Sequence, residues 1–116
     1  MMELPVVNHK DYFAKIGDDH KFPINKFGDL ANYLIEKKIV KKFHEPYPCS
    51  QETLLRAHSE KYIKDITNKT LDKNGVKKIG FPLVDSVIKR SFVATGGTVL
   101  ASKLAISNGI ACNTAG

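Results

Sequence analysis

Four histidines and two cysteines are the side chains in this sequence with the widest chemical range. His9, His20, His44 and His58 could bind a metal or move a proton. None has a second histidine or a cysteine at helical or hairpin ligand spacing. Asp18-Asp19-His20 is the only dense polar cluster, and such a cluster is ordinarily a solvated loop. Cys49 and Cys112 lie far apart, outside any Cys-x-x-Cys pair and without a local base. There is no Gly-x-Ser-x-Gly elbow for a serine nucleophile. Gly96-Gly97 lacks the Lys-Ser/Thr that completes a phosphate-binding loop. Lys37-Lys38 with Lys41-Lys42, and Lys77-Lys78, are basic pairs of the kind that usually sit solvated at helix ends and in loops. Residue types and spacing alone therefore point to no reaction.

The elements that must position these residues come from a chain of 116 residues, 42% apolar and 26% charged. That is an ordinary soluble globular composition, enough for one small domain. No apolar run is long enough to span a bilayer, and the start lacks a secretory pattern. The net charge is +6, but among 18 basic residues only Arg56 and Arg90 are arginine. Nucleic-acid surfaces favour arginine forks, and the lysines here are scattered, so nucleic acid is disfavoured as a partner. With no disulfide scaffold evident, a reducing cytoplasm is the expected location.

Residues 4–8 predict a buried strand, and residues 9–25 a long polar loop of the kind that is often functional. Phe27, Leu30, Ala31, Leu34 and Ile35 mark one face of a helix. Ser50 and Ser59 are N-caps for two further helices, the second burying Tyr62, Ile63 and Ile66. Residues 67–80 read as polar, with a turn at Asn74-Gly75. Pro82 is placed to open a long helix over about 83–107. Two glycines inside it cost roughly 2 kcal/mol against alanine, which implies a close approach by another backbone along Ala94, Gly97, Thr98, Ala101 and Ala105. Asn108-Gly109 ends the helix, and residues 110–113 predict a buried strand of parallel-sheet type.

Taken in order, these segments resemble the N-terminal part of the histone deacetylase family, with the class IV branch and its bacterial relatives most alike. Pro5 to Tyr12, with His20-Lys21-Phe22-Pro23 and Lys26-Phe27-Gly28, resembles the family's first strand and first active-site loop. Ser50 to Ile63 resembles the helix pair carrying His-Ser/Thr-x-x-Tyr, here His58-Ser59-Glu60-Lys61-Tyr62. Thr95-Gly96-Gly97-Thr98 resembles the Gly-Gly helix. Ala111-Cys112-Asn113-Thr114-Ala115-Gly116 resembles the strand that leads into Gly-Gly-x-His-His.

The resemblance implies the N-terminal portion of a three-layer αβα parallel-sheet fold, incomplete, with residues 1–116 forming one truncated domain. It implies zinc-dependent hydrolysis of N-acetyl-lysine-type amides as the parent reaction. The matched motifs contain no catalytic histidine and no zinc ligand, so the chain is expected to be inactive alone. Three residues carry a role by resemblance. His20 and Phe22 fall in the loop bordering the substrate tunnel, and Lys26 falls beside the channel for released acetate. Two departures stand out. Lys21 and Phe22 separate His20 from Pro23, and Gly80-Phe81-Pro82 replaces the acidic residue that classical members use to grip the substrate backbone. A separately encoded C-terminal half is the candidate partner, making a split deacetylase. A small basic binding protein without enzymatic activity is the alternative.

Overall fold

A computed structural model describes residues 3–116. In chain order the elements are strand β1 (Val6–Val7), a single 3-10 turn (Lys10–Tyr12), and helices α1 (Lys26–Glu36), α2 (Gln51–Leu54) and α3 (Glu60–Thr67). Helices α4 (Lys73–Ile79) and α5 (Asp85–Asn108) and strand β2 (Cys112–Asn113) complete the order.

The three-layer parallel-sheet expectation is corrected. The chain is mostly helical, and the only sheet among the described residues has two strands of two residues each. The pairing is parallel, Val6 with Cys112 and Val7 with Asn113, and His44 adds one bridge on the other side of Val7. The thinnest dimension is 17 Å. Packed layers lie about 10 Å apart, so this thickness holds one helix layer on the sheet, not two. β2 is also not the buried strand expected, because Cys112 is exposed and Ile110 is 61% exposed.

Local chemistry explains most of the helices. The Ser50 hydroxyl accepts the Thr53 N–H at 3.2 Å and Ser59 accepts the Tyr62 N–H at 3.1 Å, both true N-caps. Of the expected buried side of α3, only Ile63 is buried. α4 replaces the turn expected at Asn74-Gly75. Asp72 caps it by accepting the Gly75 N–H at 2.7 Å, and Gly80 ends it with a φ of 81°. A strong cap upstream thus turned an Asn-Gly turn signal into the first turn of a helix.

α5 is the spine. It begins at Asp85, three residues after Pro82, so the proline precedes the helix rather than opening it. The two glycines do sit inside an unbroken helix. A Cβ on Gly96 would lie 2.0 Å from the Tyr47 carbonyl oxygen, and one on Gly97 would lie 2.1 Å from the Tyr12 hydroxyl. Gly96 thereby lets the 47–49 segment run against the helix, where the Cys49 N–H donates to the Phe92 carbonyl at 2.8 Å. Tyr12, Phe27 and Val93 form the buried core between the loop, α1 and α5.

Candidate functional site

The 9–25 segment is not a purely polar loop. Tyr12, Ala14 and Ile16 are buried at alternate positions, the pattern of extended chain with one face inward. The Lys15 N–H donates to the Ser86 hydroxyl at 2.9 Å and fixes the segment to the start of α5. At its beginning, His9 Nδ1 accepts the Asp11 N–H at 3.0 Å. That nitrogen therefore carries no proton, and its 3.5 Å approach to the Asp11 carboxylate is not an ion pair in this tautomer. The Asp11 carboxylate is instead 3.3 Å from Lys89 Nζ.

Past Gly17 the chain turns and presents His20, Phe22 and Lys26 together. The Phe22 N–H donates to His20 Nδ1 at 3.1 Å. His20 Nε2 must then hold the ring proton, which it donates to the Gly80 carbonyl at 2.9 Å. The imidazole stacks on Phe81, with centroids 5.1 Å apart and planes 14° from parallel. Phe22 meets Phe81 edge-on at 5.1 Å and stacks on Phe27 at 6.0 Å. Lys26 Nζ lies 4.9 Å from the Phe22 centroid and 5.1 Å from that of Phe27. Phe22 is thus the common neighbour of the other two residues.

Three participants were not expected from sequence. Phe81 and Gly80, from the segment between α4 and α5, are residues that hold His20. Arg90 of α5 places its guanidinium 4.7 Å from the Phe27 centroid while its Nε donates to the Tyr12 carbonyl at 2.7 Å. Burial pulls the Arg90 pKa down from its ordinary value, and the nearby Tyr12 opposes that shift. Its one advance signal is that it is one of only two arginines in a lysine-rich chain. Arg90, Ala14, Ile16, Ile24, Phe81 and Val87 help line a cavity of about 220 Å³ beside this cluster.

The inner wall is set by Tyr12, which is 1% exposed. Its hydroxyl donates to Asn113 Oδ1 at 2.7 Å, joining the loop to β2. Burial pushes its pKa up to about 12, although the Asn113 bond and Arg90 pull the other way. Burial also raises the Cys49 thiol. Cys112, expected as a small buried apolar group, is exposed on β2.

Chemically, the cluster is an aromatic surface with two cations and a neutral imidazole whose nitrogens are both committed. The zinc implied by the resemblance does not fit these side chains. His20 would have to give up a hydrogen bond to become a ligand, and His9 already uses Nδ1. Among the described residues no three His, Cys, Asp or Glu side chains gather as a metal site.

No known protein-family profile matches the chain. The chain is similar to an uncharacterized protein of Picosynechococcus sp., 35% identical over 117 residues. The match covers 99% of this chain and 39% of that protein's length. Among the described residues no helix is long and apolar enough to cross a membrane.

Proposed function

We propose that this chain supplies the substrate-side loop of a deacetylase-type hydrolase acting on N-acetyl-lysine-type amides. His20 and Phe22 border the acyl-lysine tunnel, and Lys26 serves the acetate exit. The metal ligands come from residues outside these 116, and the chain alone hydrolyses nothing. One observation carries this reading. The three residues singled out by resemblance share one aromatic cluster, although residues 21 and 23–25 intervene between them, and that cluster meets a cavity through Phe81 and Arg90 rather than through these three. The engaged ring of His20 gives it a positioning role, orienting Phe22 through the Phe22 N–H, rather than a proton-transfer role.

The test co-expresses the chain with the part of the Picosynechococcus protein outside the match and measures hydrolysis of an acetyl-lysine peptide. Turnover is expected only when both polypeptides and zinc are present. Phe22→Ala and Lys26→Glu should each lower it by about tenfold or more, in line with losing one positioning contact. A well-formed assembly that hydrolyses no acyl-lysine substrate would overturn the proposal. So would zinc-dependent hydrolysis by the chain alone.

A further inference from the structure

The second half of α5 and the outer edge of β2 are both incompletely covered among the described residues. The buried residues of α5 are Val87, Ile88, Val93, Gly96 and Gly97, all in its first thirteen positions. From Val99 to Asn108 none is buried. Ile106 is 87% exposed, Ile110 is 61% exposed, and Tyr47 beside Gly96 is 88% exposed. Val99 and Ile106 are seven residues apart and so share one face, with Lys103 between them and the 45–50 segment against its Val99 end. Lys103 is the only charged residue between Arg90 and the end of α5. A helix that is apolar on several sides with so little charge is a covered helix, not a solvated one.

β2 continues the surface in backbone. The Cys112 and Thr114 N–H groups turn to β1, donating to the Pro5 and Val7 carbonyls at 2.9 and 3.0 Å. Strand alternation therefore turns the Asn113 N–H outward, and no strand among the described residues pairs with that edge. The radius of gyration, 15.5 Å, also exceeds the roughly 13 Å of a compact chain of this length.

We infer that this surface docks a second stretch of polypeptide, equivalent to the part of the Picosynechococcus protein outside the match. It would lay an apolar face on Val99 and Ile106 and pair its backbone with the β2 edge. The inference rests on the reading above that residues outside these 116 complete the site. The occupant follows from three observations. The surface offers apolar side chains beside the outward N–H of Asn113, whose own carbonyl already accepts the Gly116 N–H at 3.0 Å, and those apolar side chains suit another polypeptide rather than a small anion. The similar protein carries 61% of its length beyond the match (100% less the 39% covered). A second copy of this chain would bring another +6 charge against the first.

The experiment co-expresses the chain with that remaining part of the Picosynechococcus protein and measures the mass of the purified species by light scattering. A one-to-one heteromer is expected. Ile106→Glu with Ile110→Glu should weaken it by about tenfold or more, while Tyr33→Glu, a similarly exposed apolar position on α1, should not. Both side chains are exposed, so the chain should keep its far-ultraviolet dichroism and melting temperature. Alkylation of the exposed Cys112 by iodoacetamide should slow in the heteromer. Failure to associate together with undiminished Cys112 reactivity would overturn the inference. So would a heteromer indifferent to the double substitution, or a homodimer of this chain that the same substitution dissolves. A heteromer sensitive at Ile106 but inert toward acyl-lysine would retain the docking surface and sink the hydrolase reading. Acyl-lysine hydrolysis indifferent at Ile106 would do the reverse.

Discussion

Gly97→Ala is the sharpest test of how α5 is packed. In an exposed helix the change should stabilise by about 1 kcal/mol, because alanine is the better helix former. Here the new methyl would stand 2.1 Å from the Tyr12 hydroxyl and 2.9 Å from Asn113 Nδ2. Tyr12 is held on its other sides by Phe27 and Val93, so it has no room to retreat. Overpacking of this kind costs roughly 1–3 kcal/mol. Displacing the hydroxyl from Asn113 adds about 1 kcal/mol for the lost hydrogen bond. Net of propensity, destabilisation of about 1–3 kcal/mol is expected. The chain has no tryptophan, so urea unfolding is best followed by far-ultraviolet dichroism. Tyr12→Phe supplies the control. It removes the atom that clashes, and Asn113 Oδ1 keeps the Ala115 N–H at 3.3 Å. Gly97→Ala should therefore cost markedly less in the Tyr12→Phe background, with a coupling of roughly 1 kcal/mol or more. Additive effects within about 0.5 kcal/mol, or stabilisation by Gly97→Ala alone, would refute the packing account.

Three further outcomes follow from the same geometry. Tyr12 is held protonated when folded, with its pKa raised from 10.0 to about 12. The contribution is complete below pH 10 and is lost as the pH rises toward 12, because the unfolded chain releases the proton first. Stability should fall on the order of 2–3 kcal/mol across that window, and the fall should vanish in Tyr12→Phe. Asp72→Ala removes the cap of α4 and should cost about 1 kcal/mol, read as loss of amide-exchange protection over residues 73–79. Arg90→Lys keeps the charge but not the Nε–H that serves the Tyr12 carbonyl, so it should destabilise by about 1–2 kcal/mol. A melting temperature equal to wild type would show that only the charge at position 90 matters.

What was legible in the sequence was mainly local. Ser50 and Ser59 act as caps because an N-cap needs only the three residues that follow it. Asn108-Gly109 ends α5 because Gly109 adopts a φ of 91° and its N–H returns to the Ala105 carbonyl at 2.7 Å. The double glycine implied a close backbone along the Gly97 ridge; the backbone instead comes against Gly96, from Tyr47 and Cys49, and Gly97 is met by the side chains of Tyr12 and Asn113. At the candidate site, the resemblance points to His20, Phe22 and Lys26, and the structure puts them around one aromatic ring, Phe22, without testing the roles the resemblance implies. The contacts of Phe81, Gly80 and Arg90 with the site are not legible in the sequence, because these residues are 58–70 positions from His20 and Phe22 and nothing local marks a stacking partner. The charges of the 9–25 segment mask the inward alternation of Tyr12, Ala14 and Ile16.

By itself, then, the sequence determined where helices are capped and stopped, and that the glycines of α5 need a neighbour. Those are properties of short-range backbone hydrogen bonding and of a missing Cβ. Only the tertiary structure decided how far the strands extend and what meets each glycine. A strand exists only as far as its pairing partner does, so a run such as Ile110–Asn113 that reads as buried can lie at an open edge. The same dependence on partners leaves Ile106 and Ile110 exposed, because burial belongs to a pair of surfaces and nothing among the described residues packs over these two.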